Sequence, residues 1–410
     1  MISKKKLSNT LKRMFSLHPK LIDFDLARLK SLMNQLNNPH HNLKNVIHIA
    51  GTNGKGSTGS FLKEILEAHN LSVNIYTSPH LIRFNERIRI KNKLIADHTL
   101  ISILEEIELK NKNKPITFFE ITTAAALVAF SRNISDVNIL ETGLGGRLDA
   151  TNIIDKKKIC IITKIGFDHT EFLGKKIQNI AQEKAGIFRK NIPIVIAKQD
   201  NKEALNTLIK SAYKMNAKIV DLENIPSNIR LGLKGSHQYE NASAAFTAAK
   251  LIIPSISKSK TIIALKKTHW HARIEQIKTG KITKYRNNVT ILDGAHNEDG
   301  ANILNDFLIK QSFPKWNLVI GMLNNKPIED FVKIFKNHIN KAFAMPIPNL
   351  ESSYTPNEIC SKLIDMGINS TPVKNIEESL KLTDKDMPLL ITGSLYLAGH
   401  ILEFNRTIVK

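Results

Sequence analysis

The chain has 410 residues, 42% of them hydrophobic, a net charge of +22 and two cysteines. That length fits two domains with ordinary cores, and Cys160 and Cys360 are too few for a disulfide framework or a cysteine zinc centre. No apolar run approaches the length of a membrane span. Lys4, Lys5 and Lys6 are not followed by the apolar run of a secretory signal, so a cytoplasmic protein is expected. The lysines are spread along the chain without an RNA-binding signature or interleaved aromatics, and Ile, Lys and Asn are all plentiful. The basic balance therefore reads as composition, and neither nucleic acid nor membrane is an expected partner. A positive field still favours capture of anionic ligands.

Phe24, Leu26, Leu29, Leu32, Met33 and Leu36 recur at helical spacing and predict a first helix, closed by Pro39. Residues 46–50 then make a short buried strand, interrupted only by His48. Gly51, Thr52, Asn53, Gly54, Lys55, Gly56 and Ser57 follow, ahead of Phe61, Leu62, Ile65 and Leu66 at helical spacing. Strand, glycine loop and helix make the setting of a phosphate-binding loop. Glycines let backbone N–H groups turn inward, the helix N-terminus adds partial positive charge, and Lys55 supplies a full one. The spacing departs from G-x-x-x-x-G-K-[ST], because position 49 is Ile, position 56 is Gly, and the hydroxyl comes one residue late at Ser57.

A strand over 73–76 leads into Thr77-Ser78-Pro79-His80-Leu81 and an arginine-bearing run that ends at Ile90. A helix over about 119–130 precedes a strand over 137–140 that ends in Glu141. A strand over 159–163 leads to Asp168-His169. Helices over 177–188, 202–215 and 239–251 alternate with strands over 194–197 and 218–222. Alternation of this kind predicts an α/β chain with a doubly wound, mostly parallel sheet. The polar, basic run 278–288 is the expected boundary. A P-loop-containing domain over 1–280 is then followed, after a linker at about 279–288, by a smaller Rossmann-like α/β domain over 289–410.

Several groups could carry chemistry. A nucleotide loop needs Mg²⁺, which takes oxygen ligands. Glu141 stands at the end of an apolar strand where such an acid belongs, and the glycines of Thr142-Gly143-Leu144-Gly145-Gly146-Arg147 permit close backbone approach. His169 also follows a strand, but a lone histidine is more often structural than a ligand. Lys184, taken alone, reads as a solvated helix lysine. Asp293-Gly294-Ala295-His296-Asn297 and Gly393-Ser394-Leu395-Tyr396 follow strands and would face the carboxyl edge of the second sheet, where ligands bind in open α/β folds.

GTNGKGS, TSPHLIRFNERI, FFEITT, ETGLGGRLDATN, GFDHTEFLG, EKAGI, HQYENA, DGAHN and GSLYLAG occur in that order. With them the chain resembles the folylpolyglutamate synthase family, in particular its bifunctional bacterial branch, over nearly its whole length; that family is related to the Mur ligases. The resemblance implies ATP-dependent amide bond formation. ATP phosphorylates a substrate carboxylate, and the amino group of L-glutamate attacks the acyl phosphate. The acceptors would be 7,8-dihydropteroate and reduced folates, and the enzyme a monomer. By the same resemblance Gly51 to Ser57 would wrap the ATP phosphates, with Lys55 on the β/γ oxygens. Ser78 and Glu141 would ligate Mg²⁺, and His169 would serve a second Mg²⁺. Lys184 matches a lysine that is carbamylated in the family and so becomes a metal-associated anion. Asn241 and Arg273 match nucleotide-contacting positions, and Asp293, His296 and Asn297 the second domain's contribution. Thr117, Phe118, Phe119, Asp149 and Ala150 resemble the part that holds the pterin.

The chain departs from the family pattern at Trp270-His271-Ala272-Arg273-Ile274-Glu275, where Pro-Gly is usual before the arginine. Arg273 is kept and the turn-forming pair is lost, which puts the local turn in question. Two rival readings are a Mur-type amino-acid ligase and a nucleic-acid-stimulated ATPase. The first usually places a UDP-binding domain ahead of the loop, where this chain has only about fifty residues. The second is supported by the charge alone. A third possibility is an enzyme limited to polyglutamylation.

Overall fold

All five residues of Val46–Ala50 are buried, as the alternation-free apolar run requires of a strand with helices on both faces. The computed structural model describes residues 2–17, 23–348 and 350–409. Its first sheet is built from β1 (Val46–Ala50), β2 (Val73–Tyr76), β3 (Ile88–Ile90), β4 (Lys93–Leu94), β5 (Val137–Glu141), β6 (Ile159–Ile162), β7 (Ile194–Ile196) and β8 (Ile219–Val220). The order across it is β4-β3-β2-β5-β1-β6-β7-β8. Pairing is parallel from β2 to β8, and the arginine-bearing run after residue 80 ends in the antiparallel extension β3-β4.

The side-chain alternation of the strands sorts the core into layers. Ile47 and Ile49 of β1 face helices Lys55–Ala68 and His237–Ile252, whose Phe61, Leu62, Ile65, Leu66 and alanines fill that side. Val46 and Leu140 face the other side, against helices Asp97–Asn111 and Phe118–Arg132. Each fully buried Phe, Leu or Ile contributes about 1.5–3 kcal/mol relative to exposure, so the helix behind the glycine loop is held down by its apolar stripe. Gly54 caps that helix at φ 88°, and a Cβ there would sit 2.3 Å from Asn241 Oδ1.

The second sheet comprises β9 (Glu275–Gln276), β10 (Thr290–Leu292), β11 (Trp316–Ile320), β12 (Ile339–Ala344), β13 (Ser370–Pro372) and β14 (Leu389–Thr392), in the order β13-β12-β11-β14-β10-β9. Only β9 runs antiparallel to its neighbour. The expected linker at 279–288 is corrected by this arrangement. β9 precedes that run and already belongs to the second sheet, Ile282 is fully buried in the second core, and its N–H donates to Asn405 Oδ1 at 2.9 Å. The passage between the sheets lies instead between helix Lys258–Lys267 and β9, that is, at 268–274.

Candidate active site

Loops at the carboxyl ends of β1, β5 and β6 in one sheet, and of β10, β11 and β14 in the other, line one cleft of about 450 Å³ between the domains. That volume suits a small-molecule site. The glycine loop 51–57 forms its floor. Lys55 Nζ donates to the carbonyls of Gly51 (3.0 Å) and Thr52 (3.2 Å), and Lys184 Nζ donates to the same Gly51 oxygen at 2.8 Å. Lys184 is buried, and burial together with the charge of Lys55 lowers its pKa to about 7. It is not the solvated helix lysine that its sequence context suggests.

Glu141 closes β5 with its carboxylate buried. Its Oε2 accepts the Ser78 N–H at 3.4 Å. Burial raises this carboxyl to about 7, against the opposing charge of Lys55 and the Ser78 hydrogen bond. His169 stands at φ 51°, its Nδ1 buried with no hydrogen-bond partner, and burial lowers it to about 4. A buried acid with a single weak donor, beside a neutral imidazole with a free nitrogen and a lysine close to neutrality, fits a divalent cation better than it fits a dry core.

The second domain is tied across this cleft at Asp168. Its carboxylate pairs with Lys326, lies 3.5 Å from His296 Nε2 and accepts the Asn297 amide at 3.4 Å. Burial alone would raise Asp168, but the hydrogen bond and charge of His296, with His169 and Lys326, outweigh it and hold the carboxyl well below the usual range. Asn53 of the glycine loop completes the contact, donating to Asn297 Oδ1 (3.4 Å) and Asp299 Oδ2 (3.3 Å). Asp293 fixes the entry to the second domain, accepting the N–H groups of Ile274 (2.7 Å) and Ala295 (2.8 Å).

The side wall is set by a buried relay. Asp149 Oδ2 accepts the N–H groups of Gly143 and Leu144, both at 2.9 Å, while its Oδ1 takes the Thr151 hydroxyl. Because that hydroxyl donates to Asp149, His48 Nε2–H donates to Thr151 Oγ1 at 2.7 Å. The histidine interrupting the apolar strand β1 thus shapes the loop after β5. A Cβ at Gly143 would lie 2.4 Å from the Phe119 ring, so this loop presses closely on the aromatic that faces the cleft.

Residues 49–249 match the Mur ligase middle domain, and residues 275–404 match the C-terminal domain of dihydrofolate synthetase. A dihydrofolate synthase/folylpolyglutamate synthase of Haemophilus influenzae is 37% identical over 341 residues, which cover 75% of this chain and 76% of that protein. The chain belongs to the folylpolyglutamate synthase family, within the Mur ligases. Among solved structures, Escherichia coli FolC in complex with DHPP and ADP superposes with a TM-score of 0.86 at 27% identity, over 97% of each chain. The bifunctional folylpolyglutamate synthase/dihydrofolate synthase of Yersinia pestis, complexed with AMPPNP and Mn ion, superposes at 0.85 with 26% identity, again over 97% of each chain.

In this member of the folylpolyglutamate synthase family, the sequence-predicted residues 51–57, Ser78, Thr117, Phe119, Glu141, Asp149, Ala150, His169, Lys184, Asn241, Arg273, Asp293, His296 and Asn297 all line the cleft. Phe118 does not. It packs edge-on against Phe15 and Phe84, with ring centroids 5.5 and 5.9 Å away. Phe118 points about 100° away from Phe119 around the helix and packs into that aromatic cluster, while Phe119 lines the cleft. At the turn before Arg273, Ala272 adopts φ 57°, in the left-handed region that glycine would favour. Asp168 and Lys326 line the site although no motif reading singled out their roles; their signal is charge opposed across the cleft.

Proposed function

We propose that this chain is an ATP-dependent ligase that adds L-glutamate to 7,8-dihydropteroate and to reduced folates. The observation that carries the reading is the two-domain cleft, in which the glycine loop faces Arg273, His296 and Asn297. The loop N–H groups and Lys55 hold the ATP phosphates, while Asn241 and Arg273 take the rest of the nucleotide. Phe119, Thr117, Ala150 and the Asp149-held loop receive the pterin on the side of helix Phe118–Arg132. Phosphoryl transfer to the substrate carboxylate brings anions together, and Lys55 and Arg273 offset that charge. The glutamate amine then attacks the acyl phosphate carbon, phosphate leaves, and the amine proton passes to a basic group in the cleft. Closure through Asp168 and Lys326 keeps water from the acyl phosphate.

Glu141, Ser78, His169 and Lys184 as its carbamate would hold the divalent ions. When bound, these supply charge neutralisation at the phosphates and Lewis acidity. No helix among the described residues is long and apolar enough to cross a membrane, and the reading extends to a monomer in the cytoplasm.

The test is ADP formation measured separately with dihydropteroate and with a reduced folate, each with and without glutamate. Glutamate-dependent ADP release is expected with both acceptors, and Lys55→Ala should lower it by roughly 10²–10³-fold. No activity on dihydropteroate would leave a polyglutamylation enzyme. Strong stimulation of ATP hydrolysis by RNA or DNA, in place of glutamate dependence, would overturn the ligase reading.

A further inference from the structure

The passage between the two sheets carries a side-chain cluster that the ligase reading does not use. His269 Nε2 and His271 Nδ1 lie 3.2 Å apart, His271 Nδ1 and Glu275 Oε1 2.9 Å, and His269 Nε2 and Glu275 Oε1 3.8 Å. Among the described residues, this is the one group of three His, Cys, Asp or Glu whose ligand atoms all fall within 4.8 Å of one another. A tetrahedral ion with bonds of about 2.0–2.1 Å spaces its ligands roughly 3.3 Å apart. The edges of this triangle bracket that value. We propose that His269, His271 and Glu275 form a binding site for one divalent cation of the zinc class.

The chemistry of the donors selects the ion. Two imidazoles and one carboxylate suit Zn²⁺ and its borderline-soft neighbours, whereas Mg²⁺ prefers oxygen alone. The fourth position opens to solvent on the side of His269, whose side chain is 58% exposed, against 14% for His271 and Glu275. The carboxylate is already oriented, because Glu275 Oε2 accepts the Ala272 N–H at 2.8 Å and so leaves Oε1 toward both rings. An outer partner of this kind is what a metal-ligating carboxylate requires.

The placement gives the ion a mechanical role. The His269 carbonyl accepts the hydroxyl of Ser60 on helix Lys55–Ala68, and Glu275 lies in β9. The site therefore joins the helix behind the glycine loop to the first strand of the second sheet. Trp270, between the two histidines, packs against Gly56, and Arg273 lines the cleft. An ion here restrains the part of the linker that touches the ATP site.

The test titrates Zn²⁺ into the full, metal-stripped chain in excess Mg²⁺ by calorimetry, with Co²⁺ absorbance as a second readout. Neither measurement needs ATP or folate, so its failure is separate from failure of the ligase reading. One Zn²⁺ per chain is expected, with a visible Co²⁺ band, in the parent and in His169→Ala alike. His269→Ala and His271→Ala should each weaken binding at least roughly tenfold; metal-free melting should stay unchanged in His269→Ala, whose side chain is exposed, and fall in His271→Ala, which removes the largely buried partner of Glu275. Absence of stoichiometric binding, or binding that His169→Ala abolishes and His269→Ala leaves intact, would overturn the proposal.

Discussion

Lys184 and Lys55 donate to one and the same oxygen, the Gly51 carbonyl, at 2.8 and 3.0 Å. Burial, with the charge of Lys55 beside it, lowers Lys184 to about 7. An ordinary lysine is neutral to well under ~1% at pH 7. Lys184 is neutral to roughly half, and the neutral amine is the form that adds CO₂. Turnover is therefore expected to fall when CO₂ is stripped from the buffer and to return with bicarbonate. Lys184→Arg, which cannot form a carbamate, should be slower by roughly 10²-fold and insensitive to bicarbonate. A parent rate that is unchanged in CO₂-free buffer removes the carbamate.

Asp168 and Lys326, 158 residues apart in sequence, meet across the cleft with 10% and 7% of their side chains exposed. Breaking a buried pair by removing one partner leaves an uncompensated charge, which costs about 3–5 kcal/mol at a fully buried site. Here His296 and Asn297 still face Asp168, so the loss is smaller. Lys326→Met should reduce kcat/KM for ATP by roughly 10–100-fold, through weaker domain closure. Combined with Asp168→Asn in a double-mutant cycle, it should show a coupling of at least about 1 kcal/mol. Additive effects of the two changes would mean that the pair does not act in closure.

The His48–Thr151–Asp149 relay is buried at every member, with exposures of 0%, 0% and 4%. Thr151→Val keeps the shape and removes the hydroxyl that joins the other two. Asp149 Oδ1 keeps the Thr151 N–H at 2.9 Å, but the buried His48 Nε2–H loses its acceptor, which costs about 1–3 kcal/mol. The urea midpoint should drop accordingly. KM for dihydropteroate should rise more than KM for ATP, because the loop held by Asp149 packs on Phe119. Equal shifts in both constants would confine the relay to stability.

What the sequence made legible follows one local rule. In a parallel sheet ligand-facing groups stand at the carboxyl ends of strands, so the place of Glu141, Asp293 and the glycine loop in the cleft is reached by locating apolar runs and reading the next few residues, while His169 is singled out by the family resemblance. The roles of Lys184 and Asp168 escape that rule. The first depends on burial supplied by β1 and its loop, the second on a partner in another domain. Phe118 shows the resolution of motif matching: the run FFEITT matches as a block, yet Phe118 packs against Phe15 and Phe84 while Phe119 lines the cleft. β9 has two residues, too few for any pattern. Helix Lys258–Lys267 presents Lys-Ser-Lys-Thr before its short apolar stretch, and the polar run 278–288 looks like a linker only until Ile282 is seen to be buried.

Glu141 gives the cleft a pH signature. Its folded pKa is raised to about 7 from 4.5 by burial. In metal-free protein the folded state therefore binds more protons than the unfolded state between those values. Its contribution to stability is fully present below pH 4.5 and is lost as pH rises through 7. His40, His80, His169 and His237, all lowered chiefly by burial, act in the opposite sense below their ordinary range. The measurement is therefore the difference between the parent and Glu141→Gln, in which the histidine contributions cancel. Relative to that variant, the metal-free parent should lose about 3 kcal/mol between pH 4.5 and 7. The loss should shrink when Mg²⁺ and a nonhydrolysable ATP analogue are added, because a bound cation favours the ionised carboxylate. Chemical denaturation of both proteins across that range, in chelator and then in Mg²⁺ with the analogue, provides the check. A flat difference in chelator would mean that Glu141 is solvated in the free enzyme.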